Sequence, residues 1–347
     1  MAAAIRHIGV MRLSAMGDVA LVVPVLRAFR RKYPKVKITV VTRPFFRPFF
    51  DGIDGLNFYA YDPKGSHRGL NGILLLFRDL RKLGVDGFAD LHNVIRSKVT
   101  GLLFALSGIP TVTIDKGRSE KKALTRMSDK IFRPLKPTYE RYADVFMKLG
   151  FPFTLDHPEF PDAAVLSDNV RLLTGEKHGK WIGIAPFAQH DSKVYPEDLM
   201  RIVISDLASY AGKIFLFGGG GSELTKLQSF AETDPNIVVV AGRLSLREEM
   251  ALISNLDLMV SMDSGNAHIA AMLGIKVVTI WGNTHPYTGF APFNQPFKYA
   301  ITADRNTYPG IPTSVYGNKK VAGYEDAMRS ISPESIVQTI QTILTGS

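Results

Sequence analysis

The sequence predicts an α/β protein built from two Rossmann-like domains, each a doubly wound parallel sheet. Three observations carry that prediction. Short β-branched runs alternate with amphipathic helical patterns along the first half of the chain, and again along the second. A segment with Pro152, Pro158 and Pro161 separates the two series, as a linker would. The length, 347 residues, exceeds what one hydrophobic core ordinarily organises. Two such sheets are expected to face a cleft at the C-terminal edges of their strands, where open α/β folds bind ligands.

The first series places strands at His7–Leu13, Val36–Thr42, Asn57–Tyr61, Gly87–Leu91 and Thr111–Ile114. Helical periodicity fills Val19–Tyr33, Leu70–Leu83 and Ser97–Leu106. Pro24 stands inside the first of these helices, where its missing N–H should kink it. The second series has strands at Trp181–Ala185, Lys213–Phe217, Ile237–Val240, Leu258–Ser261 and Val277–Trp281, with helical patterns between them. A last helix, Pro333–Leu344, has Ser332 as cap and Pro333 at its first position. The expected domains are residues 1–160 and 161–330, with 331–347 a C-terminal helix that could pack back on the first domain.

Composition narrows the function classes. With no cysteine, the chain has no disulfide framework, no thiolate metal site and no cysteine nucleophile. The N-terminus lacks the apolar core of a signal peptide. Its longest apolar stretches, such as Val19–Leu26 and Ile73–Phe77, fall well short of the roughly 20 residues of a membrane span. A soluble, cytoplasmic protein is expected. Residues 1–150 contain 27 Lys/Arg against 12 Asp/Glu, net +15, and the remainder 15 against 20, net −5. That asymmetry suggests a polyanion docking on the first domain, against the alternative of a solvated lysine-rich surface.

Several turns at strand ends carry candidate chemistry. Ser14-Ala15-Met16-Gly17-Asp18 follows the first strand, and Asp18 reads either as a helix N-cap or as a general base at the sheet's edge. In Pro186–Pro196, Lys193 could set a positive charge against a diphosphate, with Ser192 donating beside it. The glycine run 218–221 has Glu223 where a dinucleotide fingerprint needs its third glycine, so NAD is rejected. Glu223 remains a candidate for a base or ribose. Asp263-Ser264-Gly265-Asn266-Ala267-His268 turns from a strand into a small-residue helix, whose first N–H groups suit a pyrophosphate. His268 adds a donor there. Thr284, in the turn Gly282-Asn283-Thr284, could reach phosphates or sugar. No Asp-x-Asp pair, H-E-x-x-H, G-x-S-x-G or Walker A sequence occurs, and no metal or cofactor is expected.

Taken together these segments resemble glycosyltransferase family 9, the ADP-heptose:lipopolysaccharide heptosyltransferases. The resemblance rests on Ser14–Asp18 with Pro24–Ala28, on Asp90-Leu91-His92-Asn93 with Arg96-Ser97, on Lys193–Pro196, on Asp263–His268 and on Gly282–Thr284. The helical stretch Arg141–Gly150 also fits. Phe187 and Ala188 stand where the family often has hydroxyls, and Tyr195 where it often has Trp. The resemblance implies a GT-B fold, metal-independent inverting transfer and a nucleotide diphosphate sugar, ADP-heptose foremost, as co-substrate. It carries the acceptor base onto Asp18. It carries the phosphate contacts onto Ser192, Lys193, Ser264, Gly265 and His268, and nucleoside contact onto Glu223. Asp263 would lie beside the donor sugar. The basic domain, through Arg43, Arg47, Arg96, Lys98, Arg118, Lys121 and Lys122, would hold an acidic, lipid-linked saccharide at the cytoplasmic face of the inner membrane.

Two readings from other classes compete. A nucleotide-sugar epimerase uses similar paired domains but needs no polyanion dock. A nucleic-acid or other polyanion-binding module would use the basic half, yet the aromatic-interleaved RNA signatures are missing.

Overall fold

The computed structural model describes residues 5–232 and 234–346. The chain forms two compact units. The first runs to Arg118 and takes up the chain again over Lys136–Glu159; the second comprises Ser119–Leu135 and everything from Phe160 onward.

In the first unit, β1 (His7–Met11) leads through α1 (Met16–Ala20) and α2 (Val22–Lys32) to β2 (Lys37–Thr42) and β3 (Leu56–Ala60). Next come α3 (Gly69–Lys82), β4 (Gly87–Asp90), α4 (Ile95–Leu106) and β5 (Thr111–Thr113). α5 (Arg118–Thr125) carries the chain out of the unit, and α6 (Thr138–Lys148) lies in the returning segment. All strands are parallel, in the order β3-β2-β1-β4-β5. Central strand β1 is buried on both faces, which explains its unbroken run of buried residues. Right-handed crossovers put α1 and α2 on one face of the sheet, and α3 and α4 together on the other. Under α3 and α4 lies a core of Met11, Val41, Leu76, Leu80, Phe88 and Phe104.

The expected kink at Pro24 is instead a break. α1 ends at Ala20, and α2 begins at Val22, so Pro24 falls in its first turn. First-turn N–H groups have no intrahelical acceptor, and the proline ring therefore forfeits nothing there.

The second unit opens with α7 (Asp168–Thr174), β6 (Trp181–Ala185), α8 (Glu197–Ala208) and β7 (Lys213–Leu216). α9 (Ser222–Ala231), β8 (Ile237–Val239), α10 (Leu246–Ile253), β9 (Leu258–Met262), α11 (Gly265–Met272) and β10 (Val277–Trp281) follow. The short edge strand β11 (Ala300–Thr302) and α12 (Pro333–Thr345) complete it. Its six strands are parallel in the order β11-β10-β9-β6-β7-β8.

α12 belongs to the second unit. Ile336, Ile340 and Ile343 join the core around Val203, Ile204 and Leu207 of α8, and Ser332 caps the helix by accepting from Ser335 N–H at 3.2 Å. A second difference concerns the chain between β5 and α6. Phe132 lies against His285 and Tyr287, Leu135 N–H donates to Tyr287 O at 3.0 Å, and Lys130 Nζ donates to Pro312 O at 2.8 Å. These contacts tie residues 119–135 to the second unit although the sequence places them before the linker. The charge ledger changes with them. The first unit holds 22 Lys/Arg against 12 Asp/Glu, and the second 20 against 20. Among the described residues no helix is long and apolar enough to cross a membrane.

Candidate active site

In the first unit, candidate residues gather where β1, β4 and β5 end. Asp18 is the third residue of α1 rather than its N-cap. Its Oδ2 pairs with Arg12 Nη2 at 2.5 Å and accepts the Ala15 N–H at 3.3 Å. Oδ1 has no partner among the described residues, and the side chain stays 20 % exposed. One carboxylate oxygen is thus anchored and the other left open, the arrangement a general base needs. The anchor is itself held: Arg12, buried, donates through Nη1 to Leu91 O at 2.8 Å. Tyr142 OH on α6 donates to Asp18 O at 3.2 Å.

Two further residues surround this carboxylate. His92 follows β4 and is 8 % exposed, and its Nδ1 has no hydrogen-bond partner. Burial, then the charges of Arg12, Lys116 and Arg43, push His92 down to about 3, so the imidazole is neutral at any working pH. Lys116 follows β5. Burial, with Arg12 next, lowers its pKa, and Asp18 opposes the shift. No carboxylate among the described residues pairs with Lys116, which leaves an ammonium available to an anion.

Of the basic residues assigned to an acceptor, Arg43 and Arg118 lie exposed at strand ends of this unit, and their charges are felt at His92 and Lys116 respectively. Arg47 sits exposed on the 3-10 turn after β2, its guanidinium 5.8 Å from the Phe58 ring centroid. Arg96 and Lys98 are exposed on the first turn of α4. Lys121 and Lys122 do not belong with them, because α5 enters the second unit after Arg118. Lys121 is only 7 % exposed, with its ammonium 4.0 Å from the centre of the Phe290 ring. It is a packed cation–π residue, not a free clamp.

The second unit assembles the other set. Lys193 closes a short 3-10 turn after β6, and its Nζ lies 3.0 Å from Asp263 Oδ2 at the end of β9. Thr284 is fully buried and donates to the same oxygen at 2.9 Å, so its hydroxyl orients Asp263 instead of facing a phosphate. Ser192 Oγ donates to Gly317 O at 2.6 Å. Two glycines make the close packing possible. A Cβ on Gly317, at φ +79°, would stand 2.5 Å from Lys193 Cδ, and one on Gly282 would stand 2.8 Å from Ser192 O.

Ser264, Gly265 and Asn266 are half-buried at the start of α11, and Ser264 Oγ shares a 3.0 Å hydrogen bond with Ser261 Oγ. His268, in the first turn, is buried. Glu223 Oε2 accepts the Gly219 N–H at 2.6 Å and so closes the glycine loop ahead of α9. Tyr195, the residue in the tryptophan position of the motif, is buried and donates to Ile331 O at 2.6 Å. Among the described residues no cluster of three His, Asp or Glu side chains is placed to hold a metal ion.

Sequence reasoning missed Arg12, Lys116 and any role for His92. For Arg12 a signal existed: a lone arginine at the end of an apolar strand is buried only when paired.

Comparisons with known proteins agree with the motifs. Residues 73–318 match the family model "Glycosyltransferase family 9 (heptosyltransferase)". The chain is 24% identical to the lipopolysaccharide core heptosyltransferase OpsX of Haemophilus influenzae over 302 residues, 82% of this chain and 81% of that one. It is 23% identical to lipopolysaccharide heptosyltransferase 2 of Escherichia coli K12, covering 95% of this chain and 96% of that one. Among solved structures, a family 9 glycosyl transferase of Veillonella parvula superposes with a TM-score of 0.76 at 20% identity, over 100% and 99% of the two chains. The Escherichia coli heptosyltransferase WaaC with ADP does so with 0.65 at 18% identity, over 97% and 99%.

Proposed function

The chain belongs to glycosyltransferase family 9, and from that membership we propose an inverting, metal-independent transfer of heptose or a related sugar to an acidic saccharide of the lipopolysaccharide-core type. Its donor is a nucleotide diphosphate sugar, ADP-heptose foremost, as the relatives' names suggest. The acceptor is lipid-linked, and the enzyme works at the cytoplasmic face of the inner membrane. Family membership sets aside the epimerase and the polyanion module.

The observation that carries the mechanism is the half-anchored carboxylate of Asp18. Its open Oδ1 takes the proton of the acceptor hydroxyl as that oxygen bonds to the donor's anomeric carbon. The bond from that carbon to the diphosphate breaks through an oxocarbenium-like transition state, and a single displacement inverts the anomeric configuration. Negative charge grows on the departing nucleoside diphosphate. Lys193, Ser192, His268 and the N–H groups of Ser264 and Gly265 at the start of α11 would receive it. Glu223 would accept from the nucleoside, and Asp263, oriented by Thr284, would stand beside the sugar. Arg43, Arg47, Arg96, Lys98 and Arg118, joined by Lys116, would hold the acceptor's acidic groups.

Asp18→Asn tests this reading. Turnover should fall by roughly 10²–10⁴-fold, as for loss of a general base, while calorimetric affinity for ADP stays constant. Turnover close to wild type would reduce Asp18 to a structural partner of Arg12. A product of retained anomeric configuration by NMR, or activity lost on adding EDTA, would overturn the inverting and metal-independent parts.

A further inference from the structure

Helix α4 is amphipathic in the inverted sense. It turns Ser97, Thr100, Gly101 and Phe104 toward the sheet, and only the last is large and apolar. Its opposite side carries Ile95, Val99, Leu102 and Leu106, spaced i, i+4, i+7 and i+11 along one stripe. Ile95 is 81% exposed, Leu102 56% and Leu106 76%. At 1.5 Å per residue the stripe runs for about 16 Å.

α3 shares this face of the sheet and touches α4 through Phe77 and Phe104, whose ring centroids are 5.0 Å apart. It exposes Leu70 and Leu74 in its N-terminal half and Arg78, Arg81 and Lys82 in its C-terminal half. Lys98 flanks the α4 stripe. Among the described residues no carboxylate pairs with these charges. Between Arg68 and Leu106 the acidic residues are Asp79, Asp86 and Asp90. Asp79 accepts from Tyr59 OH, Asp86 from the N–H groups of Arg6 and His7, and buried Asp90 from those of His92 and Asn93.

An apolar stripe bordered by unpaired cations complements the surface of an anionic bilayer, where apolar side chains enter the headgroup boundary and Lys/Arg meet phosphates. We propose that the α3–α4 face docks the enzyme on anionic phospholipid, α4 lying in the membrane surface with Arg78, Arg81 and Lys82 on the headgroups. The inference rests on the lipid-linked acceptor proposed above and names the surface that reaches it.

Co-sedimentation of the full chain with vesicles tests it, using phosphatidylglycerol with phosphatidylethanolamine against phosphatidylcholine alone. The wild type should partition onto the anionic vesicles, less so as salt rises, and hardly onto phosphatidylcholine. Leu102→Ser with Leu106→Ser should lower the partition coefficient at least about tenfold, since inserting one leucine is worth about a factor of ten or more. Arg78→Glu with Arg81→Glu should lower it about tenfold or more and flatten the salt dependence. All four positions are exposed, and unchanged circular dichroism verifies folding.

Wild-type protein that ignores anionic vesicles, or variants that bind as it does, would overturn the proposal. So would a wild-type dimer in sedimentation equilibrium that the leucine variant dissociates, with no vesicle binding by either. The transferase reading is scored separately. Asp18→Asn should bind vesicles like wild type while losing turnover, and the surface variants should keep turnover on a lipid-free acidic core saccharide.

Discussion

Lys193→Met replaces an ammonium 3.0 Å from a carboxylate by a neutral chain of similar length. Among the described residues Asp263, 7% exposed, then keeps only the Thr284 hydroxyl at 2.9 Å. Stripping one partner from a buried ion pair costs about 3–5 kcal/mol, and the lower end applies to side chains that retain slight access to water. For a unit of about 200 residues, at roughly 2–4 °C per kcal/mol, the melting temperature should drop by about 6–12 °C. Asp263→Asn should cost only about 1 kcal/mol, because the amide oxygen still accepts from Thr284 and the lysine can turn to solvent. The double variant should recover most of the loss, with a coupling of about 3 kcal/mol. Urea unfolding followed by tryptophan fluorescence reads this directly. The chain's two tryptophans, Trp181 and Trp281, are buried in β6 and β10 of the second unit, so the signal reports that unit even where the whole chain departs from two-state behaviour. In calorimetry Asp263→Asn should also tighten ADP binding, since a diphosphate no longer competes with a carboxylate for Lys193. A Lys193→Met loss below about 1 kcal/mol, additive with Asp263→Asn, would refute the claim that the pair organises this site.

Other perturbations probe other groups. Arg12→Lys keeps a charge but not the fork that spans Asp18 and Leu91 O, and turnover should fall at least about tenfold at constant ADP affinity. Burial raises Glu249 on α10 to about 7 from an ordinary 4.5, so the folded state binds the extra proton between those values and stability declines as pH rises through 7. Glu249→Gln should therefore match wild type near pH 4 and exceed it above pH 8, by about 2 kcal/mol after discounting for partial solvent access; equal denaturation midpoints at both pH values would sink this account. Lys121→Glu should lower the melting temperature and leave acceptor KM nearly unchanged. Arg118→Glu should do the reverse, its effect on KM shrinking as salt screens charges beyond about 10 Å at 0.1 M.

The strands of both sheets were legible because parallel strands buried on two faces are written as short β-branched runs, and Trp181–Ala185 and Val277–Trp281 stand at their expected limits. Edge strand β11 was not. Its Ala-Ile-Thr has no periodicity long enough to register, and only pairing with β10 defines it. Local signals also gave the wrong meaning to Pro24, whose effect depends on whether a helix starts before or after Leu21. Asp18, Lys193 and Asp263 stood out as candidates because each sits at a strand-to-helix turn. The neighbours of Asp18 did not: Arg12, His92 and Lys116 follow β1, β4 and β5 and meet only in the folded sheet. Thr284 failed for the same reason, since a turn threonine and a fully buried one look alike in sequence. Lys121 was misread because charge counted along the chain ignores which unit a segment joins.

The attachment of residues 119–135 to the second unit imposes an order on biosynthesis. By the time the ribosome has passed Lys148, every strand of the first sheet and α6 have been made, and that unit can close. Phe132 and Lys130 must wait for His285, Tyr287, Arg305 and Pro312. At about 5–20 residues per second the delay is on the order of 10–40 s, during which a basic segment with Phe132 and the aliphatic side chains of Leu124, Ile131 and Leu135 hangs between a finished half and an unfinished one. For that interval the nascent enzyme offers chaperones and proteases Leu124, Phe132 and Leu135, side chains that the completed chain packs away, and a premature stop before His285 would leave Phe132 and Leu135 without their partners.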